Sequence, residues 1–347
     1  MQGRRCFLTG AAAALAVILL SLLPPADWLR GVSIDSLFWL RYQAFGPQQG
    51  PVACPVPLRA IAEESYRRPP LEGLPKVLWT PQLATVIEAL LDSGAKVIGQ
   101  DIVLPTSAEA FLPGRDRPYL LALRRGGQEG RLVLGRIQHG REPLSPHPSQ
   151  VYAAGPANLR LLNLVTDPDG IVRRPPGVFE LRVNGETASE PGFGLELAAR
   201  YLEIAPETLA RGNADRLLNF AGGGRETPVY SFADILACAE VGERGYLSEH
   251  FAGKVVILGA ALDKEDRILT SARFVTAPDG AWFAPRCKHP VMEELYAGAG
   301  ARPSLPGSMI FATQVDNLIA GTALRPAGSL EVFGAIALLA LAAAFLP

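Results

Sequence analysis

Histidine and cysteine are scarce, with four of each in 347 residues. His139, His147, His250 and His289 stand in proline-rich or polar surroundings, without the H-E-x-x-H or H-x-x-E-H spacing that sets two ligands and a base on one helix. The G-x-S-x-G turn that presents a nucleophilic serine is missing. The single glycine run, AGGGR at 221–225, lacks the Lys-Ser/Thr of a phosphate loop and the G-x-G-x-x-G of a dinucleotide fold. With no catalytic constellation, the chain is not expected to be an enzyme or to carry a cofactor or metal. Neither sign of charge dominates, with 33 Lys plus Arg against 34 Asp plus Glu. A surface built for phosphates needs a cationic excess, so nucleic acid is not an expected partner. Repeats and low-complexity tracts are absent, and 48% hydrophobic against 19% charged residues excludes wholesale disorder.

Cysteine usage leaves two readings open. Cys6 stands apart from Cys54, Cys238 and Cys287, and these three allow at most one internal bridge with one thiol over. Their spacing fits no zinc pattern. The plainer reading makes them small buried hydrophobes. Cys287 and His289 are two residues apart, which reads as an ordinary surface loop, with a metal pair as the lesser alternative.

What is plentiful is apolar sequence at the two ends. Phe7–Leu23 is free of charge and would form a helix of roughly 25 Å, the short limit for a bilayer core. Arg4 and Arg5 precede it and favour a cytoplasmic N-terminus, and Trp28 beyond it suits an interfacial anchor. RRCFL also resembles a twin-arginine signal, but no A-x-A-like cleavage site follows. A retained anchor over 7–23 is therefore expected, after a cytoplasmic tail at 1–6. The second run, Val332–Leu346, would open another span over 332–347, so the chain reads as a truncated protein. Residues 24–331 would then lie outside the cytoplasm.

Within that segment, apolar strands alternate with amphipathic helices. Ser33–Phe45 reads as a helix capped by Ser33 or Asp35, before a proline-rich connection at 46–57. Leu58–Ala62 is a strand, Pro81 opens the helix LATVIEALLD, Gly94 closes it, and Ala95–Leu104 follows as a strand. Strands are expected again at Arg131–Ile137, Leu217–Phe220 and Lys254–Gly259, with helices at Phe193–Leu202, after Ser231 and at Met309–Ala320. DPDG at 167–170, between Leu159–Val165 and Ile171–Arg174, reads as a hairpin turn. The fold class this implies is α/β, a mainly parallel sheet with helices on both faces, flanked by transmembrane helices.

In open parallel sheets, ligands gather at the carboxyl ends of strands. There the sequence places Asp101, in IGQDIVL, and Gly259, Asp263 and Asp266, in KVVILGAALDKED. These are the candidate ligand-binding residues, an acidic pocket for a cation or a polar solute. The competing reading makes Asp101 a structural carboxylate paired with an arginine or capping a helix.

The ordered segments resemble the second type of CHASE extracellular sensory domain (cyclase- and histidine-kinase-associated sensing extracellular). The stretches that carry the resemblance are DSLFWLRYQAF, VIEALLDSGAKVIGQDIVL, NLVTDPDGIVRR, GLELAARYL, LLNFAGGG, YSFADILA, FAGKVVILGAALDKED and ATQVDNLIAGTALRP, in family order over residues 31–326. Two features depart from it: Ala62 in AIAEES stands where the family strand usually has Asp, and the aromatic–proline cluster is reduced to Trp79, Thr80 and Pro81. The resemblance implies a homodimeric sensor in the bacterial inner membrane. Its periplasmic input domain would receive an unknown small-molecule or ionic ligand and relay the signal through membrane helices to a cytoplasmic output absent from this chain. The alternative is a membrane-anchored periplasmic enzyme or solute-binding protein without a signalling role.

Overall fold

A computed structural model describes residues 2–21, 26–46, 56, 58–140, 142–183, 185–221, 227–262, 267–274, 284–292 and 304–344. The chain opens with helices α1 (Gln2–Ser21) and α2 (Ala26–Phe45). Next come strand β1 (Leu58–Ile61), α3 (Thr80–Asp92), β2 (Val97–Asp101), α4 (Arg117–Gln128) and β3 (Leu132–His139). After them lie β4 (Glu142–Leu144), α5 (Pro148–Ala154), β5 (Leu159–Leu161), and the hairpin of β6 (Val178–Val183) and β7 (Glu186–Pro191). Helices α6 (Phe193–Leu202) and α7 (Pro206–Asn213) lead to β8 (Val229–Ser231), α8 (Phe232–Glu240), α9 (Arg244–Phe251) and β9 (Val255–Ala260). The last elements are β10 (Arg267–Leu269), β11 (Ser304–Pro306), α10 (Gly307–Ala320) and α11 (Ser329–Ala344).

The main sheet runs β4-β3-β2-β9-β1-β8, with β5 also paired to β3. Its pairings are parallel apart from β3 with β4. Strand β9 is central and reads VVILGA, buried through Gly259, as a strand covered on both faces must be. Alternate side chains serve opposite layers. Val256 and Leu258 join Leu83, Ile87, Leu123, Phe232 and Phe251 of α3, α4, α8 and α9. Val255 and Ile257 join Phe193, Leu197, Phe311 and Val315 of α6 and α10 on the other side. A third cluster sets Phe38 of α2 against Val172, Leu218, Phe220, Ala272 and Ile310.

The expected α/β class is what the chain adopts, as a mixed sheet with helices on both faces. Several local expectations change. Helix α2 begins at Ala26, so Ser33 and Asp35 lie inside it and cap nothing. Leu217–Phe220 is no strand; Leu217 makes one isolated bridge to Leu324. DPDG does turn the chain, with the Asp167 N–H donating to Ile171 O and the Gly170 N–H to Asp167 O, but no hairpin ladder flanks it. Val172 pairs with Thr270 instead. Ser231 holds the N-cap position of α8 without making a capping hydrogen bond. Most of the 46–57 connection and of AGGGR lies outside the described residues.

At the ends, α1 packs alongside α11. Leu15, Val17, Leu19, Leu330, Leu338 and Leu339 are exposed on this pair. No helix among the described residues is long and apolar enough to cross a membrane. The flanking spans expected at 7–23 and 332–347 are thus present as paired helices that fall short of that measure.

The cysteines resolve differently from the plainer reading. Cys238 of α8 and Cys287 form a disulfide, Cα–Cα 5.9 Å, closing 49 residues of sequence. That removes Cys287 as a metal partner for His289, and Cys54 lies outside the described residues. The bridged segment is held twice. The buried Asp234 carboxylate accepts the backbone N–H groups of Cys287 (2.9 Å), Lys288 (2.8 Å) and His289 (2.6 Å). Arg286 Nη2 donates to buried Glu64 at 2.9 Å. Removing the bridge by Cys238→Ala with Cys287→Ala should lower unfolding free energy by about 2–4 kcal/mol, the usual range for a disulfide, with loop closure over this span placing it near the upper end. Denaturant unfolding of both proteins, with and without reductant, checks this: reductant should shift the wild type and leave the double variant unmoved.

Candidate functional site

Helices α3 and α4 follow β1 and β2 on one face of the sheet, whereas α10 follows β9 on the other. Strand β9 lies between β1 and β2. The chain therefore leaves the sheet in opposite directions at adjacent carboxyl ends, and a crevice opens there for the reason that makes such switch points ligand sites. The cleft measures about 480 Å³. Ile61 ends β1, Asp101 to Thr106 continue β2, Ala260 ends β9, and Gly307 with Phe311 of α10 and Ile268 of β10 complete the wall. Among the described residues, the lining side chains beyond Asp101, Lys76 and Thr106 are almost all apolar, including Leu104, Ile137, Leu162 and Leu164.

Asp101 and Gly259 do come together, as register partners on β2 and β9. An ideal Cβ on Gly259 would lie 2.5 Å from Ser308 Cβ and 3.2 Å from Asp101 Oδ2. Glycine is thus required for α10 to start so close to the sheet, where Ser308 Oγ donates to Ala260 O at 2.7 Å. Asp263 and Asp266 lie outside the described residues. Among the described residues, Asp101 alone of the expected acidic set is placed, and it stands in a mainly apolar cleft. Among the described residues, no group of three or more His, Cys, Asp or Glu side chains is placed to hold a metal ion.

A second constellation, not foreseen from sequence, fastens α2 to the rest of the chain. Arg173, 1% exposed, donates through Nε and Nη2 to Asp35 (3.1 and 2.8 Å). The same guanidinium reaches both oxygens of Asp169 (2.9 and 2.7 Å) and Asp167 Oδ2 at 3.0 Å. Asp35 also accepts from Ser271 Oγ at 2.6 Å and Arg273 Nη2 at 2.9 Å. Burial pushes the Asp35 carboxyl upward, but the hydrogen bonds from Arg173 and Ser271 outweigh it and hold the group below its ordinary value. The Arg173 hydrogen bonds lower Asp169 in the same way. The helix lies close over this cluster because residue 31 is glycine: a Cβ there would meet Asp169 Oδ2 at 2.7 Å. Gly31, Asp35, Phe38 and Tyr42 recur at helical spacing and form the inner face of α2.

One element belongs to both constellations. Ile268 of β10 lines the cleft, and Ser271 and Arg273, directly after that strand, bond Asp35. Sequence offered only a faint signal for the cluster: an aspartate on the apolar face of α2 and a pair of arginines behind an Asp-rich turn.

A family model described as the CHASE2 domain matches residues 12–346. No curated protein and no solved structure matches the chain.

Asp35→Ala would leave Asp167 and Asp169 neutralising Arg173 but would remove the acceptor of Arg173 Nε, Ser271 Oγ and Arg273 Nη2, and it should destabilise the fold by about 1–3 kcal/mol, as leaving buried donors unsatisfied does. Because both carboxyl pKa values are depressed, their stabilisation is full above the ordinary value of 3.8 and is lost as pH falls below it. Hydrogen exchange of the α2 amides against those of β9, followed from pH 6 to pH 3, checks this. Exchange corrected for intrinsic rates should accelerate in α2 first, and in Asp35→Ala it should be fast already at pH 6.

Proposed function

The chain belongs to the CHASE2 domain family, a family of extracellular sensory domains, and on that premise we propose that it is the periplasmic input module of a bacterial membrane receptor. In this reading helices α1 and α11, though each falls short of a full span, are the segments that enter the inner membrane, and their exposed leucines and valine face lipid or neighbouring membrane helices. The domain between them, residues 24–331, sits outside the cytoplasm and passes its state through α2 and α1 toward a cytoplasmic output.

The observation that carries this reading is the anchorage of α2. This helix follows the apolar α1 after four residues, and one face of it is fixed to the domain by a fully buried arginine. A solute-binding protein needs only a tether at that point, and a tether has no use for an inward-facing carboxylate with four donors. A change of conformation at this cluster would displace α2 or break its bonds, and either outcome would reach the membrane segment. The disulfide between Cys238 and Cys287 supports an oxidising compartment, where such bridges persist. The sensor reading fits a family of sensory domains, and it assigns no catalytic role to this chain.

A reporter inserted at Gly242, in the exposed turn between α8 and α9, tests the topology. An alkaline phosphatase active only outside the cytoplasm should be active there, and a fluorescent protein that matures only inside should be dark. The opposite pair of results would overturn the placement. Fractionation adds a second readout: the fusion should stay with the membrane, and its release into the soluble periplasm would remove the anchor role of α1.

A further inference from the structure

We propose that the cleft at the carboxyl edge of the sheet is a binding site for small, mainly apolar organic molecules bearing one hydrogen-bonding group, and that β10 and the turn after it report its occupancy to α2. This rests on the sensory reading above and gives it a ligand class and a route.

The class follows from the walls. At about 480 Å³ the cleft falls within the usual range for a small-molecule site. Branched aliphatic side chains from five separate strands or strand ends (Ile61, Ile102, Ile137, Leu162, Ile268) and the ring of Phe311 face it. A sugar or a polyhydroxylated solute brings many groups that must each be hydrogen-bonded on burial, and among the described residues the walls offer only the side chains of Asp101, Lys76 and Thr106 for them. An apolar body with one polar group meets the lining without that penalty, and Asp101 at the end of β2 is placed to accept its donor.

The route follows from connectivity. Ile268 is in the wall of the cleft; two residues on, Thr270 bridges Val172, the neighbour of Arg173. Ser271 and Arg273 then give Asp35 two of its four hydrogen bonds. A molecule seated against Ile268 bears on a three-residue strand whose continuation holds α2. Binding therefore biases the cluster if it favours one position of this segment, as any effector must.

The test uses the whole chain in lipid nanodiscs and three fluorinated probes followed by fluorine NMR: 5-fluoroindole, 4-fluorophenol and, as the polyhydroxylated control, 2-fluoro-2-deoxyglucose. The two apolar probes should broaden at least threefold more with the wild type than with Thr106→Trp, in which an exposed rim residue becomes large enough to cover the mouth. Equal broadening in both proteins means partition into lipid only and overturns the site; retention of the sugar in place of the apolar probes overturns the class. Hydrogen exchange then reads the route. Saturating 5-fluoroindole should slow exchange in 267–274 and in 31–45 together. Arg273→Gln, which leaves Arg173 in place to hold the fold, should keep probe binding and the effect at 267–274 but lose at least half of that at 31–45. Protection confined to the cleft in the wild type would overturn the relay. Failure of these tests with the reporter still active outside would leave the periplasmic placement standing, so the two readings fail separately.

Discussion

A guanidinium that is 1% exposed is tolerated in a protein interior only when its charge and all its donors are matched, and Arg173 is matched by Asp35, Asp167 and Asp169. Two of these carboxylates come from the Asp-Pro-Asp-Gly turn a few residues upstream. The third comes from a helix 138 residues away. That difference in origin explains the arrangement: the turn is local and prebuilt, and the cluster is complete only when α2 docks. Gly31 permits the approach, Phe38 seals the apolar side, and Ser271 with Arg273 closes the other flank. The position of α2 follows from satisfying one buried charge.

The sheet supplies the frame on which this junction is hung. The central β9, covered by helices on both faces, passes from the sheet into the segment that carries β10. Helix α10 then returns against β9 over Gly259, close enough that no side chain fits between. The same passage of chain thus bounds the cleft, forms β10, and reaches the cluster. Ile268 in the cleft wall and Ser271 and Arg273 at the cluster therefore lie within six residues of one another along the chain.

On the opposite layer the constraint is covalent. Cys287 is tied to α8, and the buried Asp234 carboxylate gathers three successive backbone N–H groups of the same segment. Glu64, just past the end of β1, is fully buried and is neutralised there by Arg68 and Arg286. Two buried acidic groups and a disulfide hold a stretch that has no regular secondary structure of its own among the described residues, whereas α2 is held by polar contacts that protons can break.

How much of this was legible beforehand depends on the range of the force responsible. Apolar periodicity over neighbouring residues predicted β1, α3, β2, β3, α6, α8, β9 and α10, because each buries a face whose spacing is written locally. Asp101 and Gly259 were placed together for the same reason: strand ends of a parallel sheet can be aligned from their hydrophobic runs. Short elements with weak patterns, such as the β6–β7 hairpin and α7, were missed, and Leu217–Phe220 was taken for a strand because burial alone resembles one. Asp35 was read as a cap, since a sequence shows an aspartate near a helix start but not the arginine that will meet it. The pairing of Cys238 with Cys287 was equally hidden, because three cysteines allow several partners and only packing brings two sulfurs together. The sequence by itself determined the class of fold and the meeting of Asp101 with Gly259 at one edge of the sheet. Which charges met across 138 residues, and therefore where α2 was fixed, was decided by the tertiary structure, because burying Arg173 was possible only once distant carboxylates had been brought around it.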